Sequence, residues 1–183
     1  MNDIGRYRRF VGWDYSKGAS LFITISTEPR RAGDYWKGVG NTALLDFDIP
    51  MVSLRVSMKV KNFEPVLAKM RSAVDKGWVV ISGFISKGER EVFKMLAANK
   101  NAKFIRMRPS CIPNARFKPE STLVDAFREG RYLEIAKGND EVDFSRNACL
   151  DLNDEIVAIA TSGKGLAIHW REDGPHKIKE ACG

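Results

Sequence analysis

Histidine and cysteine are scarce in this chain: two of the first and three of the second in 183 residues. His169 and His176 stand seven positions apart near the C-terminus, so no histidine–hydrophobic–histidine pair is present to hold a metal against a phosphodiester. Cys111, Cys149 and Cys182 are odd in number and widely spaced, which makes neither a CxxC pair nor a small disulfide framework. A reducing, cytoplasmic setting is expected. No uninterrupted apolar run approaches membrane-spanning length, and Gly12, Trp13, Asp14, Tyr15 and Ser16 break what would have to be the apolar region of a signal peptide. No membrane partner is expected, and no cofactor or metal.

Positive charge is plentiful. Thirty Lys+Arg against 23 Asp+Glu give a net +7, a field that attracts phosphates. With 44% hydrophobic residues, the chain can bury a real core. From Lys61 onward strand-like and helix-period segments alternate. "MVSLRVSM" (51 to 58) reads as a strand, and "FEPVLAKMRSAVDKG" as a helix ending at Gly77 with Val66, Leu67, Met70 and Val74 on one face. "WVVISGF" is a second strand, followed by a helix over 87 to 99 that buries Val92, Phe93, Leu96 and Met95. Strand "KFIRM", a Pro-punctuated loop from Pro109 to Pro119, a short helix at "STLVDAF", strand "RYLEIA", a helix over 145 to 160 and strand "GLAIHW" complete the series. The alternation predicts an α/β fold: a Rossmann-like open parallel sheet with helices on both faces, plus a short N-terminal β appendage containing "LFITIS" (21 to 26). The expected division is an N-terminal segment over 1–33, a Rossmann domain over 34–172 and a tail over 173–183.

In such sheets ligands lie beyond the carboxyl ends of the strands, which draws attention to "WVVISGFISKGEREVF" (78 to 93). Gly83 and Gly88 have phosphate-loop spacing, but Glu89 and Arg90 stand where that motif needs Lys and Ser/Thr. A nucleoside-triphosphatase loop is therefore excluded. The local reading is a capped helix, with Ser86 as N-cap and Glu89 completing a capping box. A helix start with Lys87 beside it can also receive a phosphate. "GVGNTA" (38 to 43) carries the letters of a dinucleotide fingerprint without the buried strand that should precede it.

From Tyr35 to about Trp170 the chain resembles the DNA-processing protein A (Smf) family. "KGVGNTALLDFDIPMVSLRVS" is similar to that family's R-G-N-x-x-L-L lead-in and first strand, with Gly40, Asn41, Leu44 and Leu45 in place. "VVISGFISKGEREVF" resembles its second strand and glycine turn, and "FSRNACLDLNDEIVAIA" its late arginine–asparagine helix. Where the family has G-S-R after the first strand, this chain has Val56, Ser57 and Met58. The resemblance implies non-catalytic binding of single-stranded DNA in the service of a recombinase, as a homodimer. Together with the strand-end rule it nominates Ser57, Lys59, Gly83, Ser86, Lys87, Gly88, Arg90, Arg106, Arg108, Arg146 and Asn147 as nucleic-acid or phosphate ligands. Arg106 and Arg108 share strand parity and should point to one side.

Residues 1 to 31 are similar to the opening of the single-tyrosine, REP-associated (IS200-like) transposases, through Asp14, Tyr15, Ser16, Gly18, Ala19, Phe22 and Thr24. Without the histidine pair, neither Tyr15 nor Tyr35 is expected to perform strand transfer, and the resemblance implies an inactive remnant of such a fusion. The competing enzyme reading is a nucleotide-processing Rossmann protein, whose ligand would be a nucleotide phosphate. Its P-G-G-x-G-T-x-x-E segment finds in "TSGKGLAIHW" only Gly163 and Gly165.

Overall fold

The computed structural model describes residues 11–14, 19–22, 36–109, 120–137 and 145–178. Its centre is a seven-stranded sheet. Five parallel strands make the middle: β4 (Met51–Val56), β5 (Val79–Ser82), β6 (Lys103–Arg108), β7 (Tyr132–Lys137) and β8 (Gly165–Arg171). An antiparallel strand closes each edge, β3 (Trp36–Gly40) against β7 and β9 (Gly174–Ile178) against β8. The order is β3-β7-β6-β5-β4-β8-β9. β1 (Val11–Asp14) and β2 (Ala19–Phe22) form a separate antiparallel pair.

The sheet is thus mixed, not wholly parallel as the sequence suggested. Both additions fall at edges, where a strand needs pairing on one side only. β9 carries Pro175, which an edge tolerates, and it lies in what the sequence presented as a tail. β3 contains Gly38 and Gly40, so "GVGNTA" runs along an antiparallel edge strand and then into a short 3-10 helix, Thr42–Leu45. That is no dinucleotide turn. Gly40 has φ +124°, and a Cβ there would stand 2.1 Å from the Tyr132 carbonyl oxygen. Asn41 caps the 3-10 helix through the Ala43 N–H and donates to the Gly130 carbonyl at 2.8 Å. Leu44 and Leu45 are buried. The glycine–asparagine–leucine lead-in is therefore a structural clasp on β7.

Strand alternation divides the core in two. On one face Val52, Leu54, Val80, Phe104 and Tyr132 meet α1 (Glu64–Asp75), α2 (Lys87–Ala98) and α3 (Val124–Arg128), through residues including Val66, Met70, Val92, Phe93, Leu96 and Phe127. On the other, Met51, Val79, Ile81, Ile105 and Leu133 meet Leu152, Ile156 and Ile159 of α4 (Arg146–Thr161). Val66, Met70 and Val74 are buried on α1 as the helical period required, and Leu67 is partly buried. The boundary expected near residues 31 to 34, most of "LFITIS", most of the Pro-punctuated loop, Tyr15, Tyr35, Cys111 and Cys182 lie outside the described residues.

Candidate nucleic-acid interface

The turn after β5 is built around a carboxylate of its own. Ser86 is the N-cap of α2 and accepts from the Glu89 N–H at 3.2 Å, while Glu89 answers through its side chain, so the expected capping box is present. Glu89 reaches further than a capping box needs. Its Oε2 accepts from Ile85 N–H at 2.8 Å and Ser86 N–H at 3.3 Å, and its Oε1 accepts from Val56 N–H at 2.9 Å, at the end of β4. A buried carboxylate thus satisfies donors that an external phosphate would otherwise use. Gly88 is buried too: a Cβ there would come within 2.6 Å of Val56 Cγ1 and 3.2 Å of the Phe63 ring. Its role in this fold is close packing of helix on strand, and Ser86 commits its hydroxyl to the cap. Lys87 is exposed.

Phe84, within the turn, has φ 51°, a left-handed conformation uncommon for a bulky residue. Its N–H donates to Ser82 Oγ at 3.1 Å, and its ring packs 4.9 Å from that of Phe93. Fixing Phe84 inward leaves the backbone of Gly83 to Ile85 as one wall of a cleft of about 240 Å³. Arg90, Arg106, Arg108, Pro109 and Glu120 complete it. β6 extends to Arg108, so Arg106 and Arg108 do lie on the same side of the sheet.

The three arginines differ in how they are neutralised. Arg106 stands in register with Glu134 of β7, donates from Nε to Glu134 Oε1 at 2.6 Å and from Nη2 to Glu120 at 3.0 Å, and lies 4.7 Å over the Phe93 ring. Burial opposes its charge, but Tyr132, Glu134 and Glu120 outweigh burial and hold the guanidinium more firmly protonated than usual. Tyr132 donates its hydroxyl to Glu134 Oε1 at 3.0 Å. Its phenol is held well above its ordinary range by burial first and by the Glu134 charge second. Arg108 is 3.7 Å from Glu134 Oε2, beyond hydrogen-bonding distance. That oxygen is buried without a hydrogen bond. Arg90 is exposed and has no carboxylate partner among the described residues.

Other expected residues lie along the same edge but outside the cleft. Ser57 and Lys59 form the turn after β4, where the Ser57 hydroxyl accepts from Lys59 N–H at 3.3 Å. Met58 between them is 85% exposed. Arg146 and Asn147 are exposed on the first turn of α4, which Ser145 caps through the Ala148 N–H. A Cβ at Gly83 would meet Leu152 at 3.3 Å, so the second turn of α4 sits at the carboxyl end of β5 and its first turn projects at that edge. "TSGKG" instead joins α4 to the start of β8, at the amino edge and away from the cleft. Arg55, Glu120, Glu134, His169 and Arg171 carry charge or proton chemistry at this end of the sheet and were not among the expected ligands. Register pairs Glu134 with Arg106 and Arg55 with His169, and single-sequence periodicity does not report register.

The fold and the cationic edge define the class: a Rossmann-like α/β domain with a mixed, mostly parallel sheet. Among solved structures the chain is similar to DNA processing protein A from Helicobacter pylori, a protein described for its unique single-stranded DNA binding mode. The identity is 16% and the TM-score 0.53, over 79% of this chain and 62% of that one. The likeness is one of fold, and the chain spans about 62% of that relative's length. No protein-family model and no curated protein matches the sequence.

Proposed function

We propose that this protein binds the sugar–phosphate backbone of single-stranded nucleic acid, DNA in the first instance, along the carboxyl edge of its sheet and without transforming it. The observation that carries the reading is the convergence of Arg90, Arg106 and Arg108 on one cleft at the end of β5 and β6. Guanidinium groups there can grip phosphate oxygens in pairs. Arg106 is anchored by Glu134 and shapes the wall, leaving Arg90 and Arg108 to meet the ligand. Glu120, the carboxylate in the cleft lining, already pairs with Arg106, which suits binding better than acid–base chemistry.

A strand is favoured over a mononucleotide because the cations are distributed. Lys59, Lys87 and Arg146 continue the edge outside the cleft, and Met58 beside Lys59 offers an exposed apolar surface to a base. The likeness in fold to a protein described as binding single-stranded DNA supports the same choice. A homodimer and a recombinase partner, which the sequence resemblance implies, extend the proposal; light scattering and co-precipitation with a purified recombinase test them.

Fluorescence anisotropy with labelled oligothymidine over a salt series tests the binding itself. Each phosphate contact to a single strand contributes about −0.7 to the slope of log K against log salt. Replacing Arg90 and Arg108 together by glutamine should make that slope shallower by about 1.4. Unchanged affinity in the double variant, or tight nucleotide binding with none for the oligonucleotide, refutes the proposal.

A further inference from the structure

A second group of cations lies on the opposite face of the sheet, where the fold changes direction. From β4 the chain builds outward through β5, β6 and β7 on one side, and returns to β8 and β9 on the other. The β4–β8 pair is therefore the topological switch point, where crevices open at the carboxyl ends of such sheets. Across it Arg55 is in register with His169, and His169 with His176 of β9. All three alternate with residues of the α1–α2 face, Leu54, Val56, Ile168 and Trp170, so they form one row on the α4 side.

The row is short of negative charge. Arg55 is partly buried and makes no ion pair or side-chain hydrogen bond among the described residues. Arg171 approaches His169, with Nε 3.4 Å from Nδ1, a contact that requires Nδ1 to lack a proton. In the hairpin Asp173 pairs with His176 at 2.8 Å and also feels the Arg171 charge. A half-buried arginine beside an arginine and a histidine is unfavourable unless an anion joins them.

We propose that this face is a second phosphate-binding subsite, gripped by Arg55 and Arg171 and completed by His169 when that ring is protonated. Its ligand class rests on the nucleic-acid reading, since a strand crossing the carboxyl edge would present the next phosphates here. The surroundings of His169 give the subsite a pH dependence. Burial, then Arg55, Arg171 and His176, hold its imidazole below its ordinary value of 6.5, and α4 contributes no charged group to that set. A bound phosphate reverses the sign of the local field, so it should raise the His169 pKa, and by linkage acid should tighten binding.

The test is a histidine NMR titration of the full chain with and without inorganic phosphate, beside oligothymidine binding from about pH 8 down to about pH 5.5, the window of an imidazole. Phosphate should move the His169 midpoint upward, and affinity for the oligonucleotide should rise several-fold toward acid. His169→Gln should flatten that rise. Arg55→Gln should lower affinity at every pH, and Arg55→Lys should restore part of it. An unmoved His169 titration, or a full pH dependence surviving in His169→Gln, overturns the subsite. If phosphate shifts His169 while oligothymidine fails to bind at any pH, the subsite stands and the nucleic-acid reading falls.

Discussion

Replacing Glu89 by alanine strips three backbone donors of their acceptor in one step: the N–H groups of Val56, Ile85 and Ser86. Val56 is buried at 2% exposure, so its orphaned N–H has no water to turn to and should cost about 1–3 kcal/mol. The other two are part-buried and can recruit solvent, at roughly 1 kcal/mol each. The sum is about 3–5 kcal/mol, a large share of an ordinary domain's stability of about 5–15 kcal/mol. Glu89→Gln retains one acceptor oxygen but turns an amide N–H₂ toward donors and forfeits the charge, so about half that loss is expected.

Urea denaturation followed by circular dichroism measures both. With a slope of about 2 kcal/mol per molar, the alanine variant should unfold near 2 M lower in urea than the parent. Sulfate adds a second readout, because an unplugged helix start is a site for an external anion. Sulfate should stabilise Glu89→Ala by more than it stabilises the parent, beyond its general salting-out effect. A loss below about 1 kcal/mol in both variants, set against the range expected for a buried orphan donor, would refute the claim that this carboxylate holds the turn together.

Arg106→Met should cost about 3–5 kcal/mol by leaving buried Glu134 with only the Tyr132 hydroxyl and the more distant Arg108, and adding Glu134→Gln should recover most of it, as a double-mutant urea cycle would record. Gly88→Ala should lose about 1–3 kcal/mol by thermal or urea unfolding, since its methyl would press on Val56 and the Phe63 ring. The folded pKa of His169 is depressed, so its contribution to stability is present above its ordinary value near 6.5 and fades as pH falls through the lower folded value; unfolding midpoints of His169→Gln should accordingly be less acid-sensitive than the parent's. Lys87→Glu should weaken oligothymidine binding less than Arg108→Glu does in the same anisotropy series, because Lys87 lies outside the cleft on a helix start already occupied by Glu89.

Local chemistry was legible in the sequence. The Ser86–Glu89 capping box, the apolar stripes of α1 and α2 and the shared side of Arg106 and Arg108 all follow from spacing within one element. What escaped depends on pairing between elements. β3 and β9 are short edge strands with Gly38, Gly40, Gly174 and Pro175, and neither carries a strand-like run of β-formers. Glu134 sits in "RYLEIA", which reads as a plain apolar strand. The register with Arg106, together with the Tyr132 hydroxyl, explains why a carboxylate is buried there at 1% exposure. The two histidines are seven positions apart in the chain and unremarkable at that distance, yet a tight β8–β9 hairpin makes them register partners. Gly83 and Gly88 had a legible spacing whose purpose depended on the interior. One borders the cleft, while the other is sealed under Phe63.

A net charge of +7 does not by itself locate an interface, because a cation with a partner is spent inside the fold. Arg131 shows the spent kind: it is buried, binds Glu129 and donates to the carbonyls of Asn99 and Ala102 at the amino end of β6, far along the strand from the cleft. Arg106 is intermediate, half wall and half ligand, since Glu134 holds it from below and the exposed Glu120 from above. Arg55, Arg90 and Arg108 lack a hydrogen-bonded carboxylate among the described residues, and all three stand at the carboxyl ends of the central strands or the first turn of α2. Among the described residues the unspent arginines are thus gathered at one edge, and removing them should change binding more than stability. The carboxylates buried beneath that edge, Glu89 and Glu134, carry the opposite expectation: substitutions there should damage the fold before they affect the ligand.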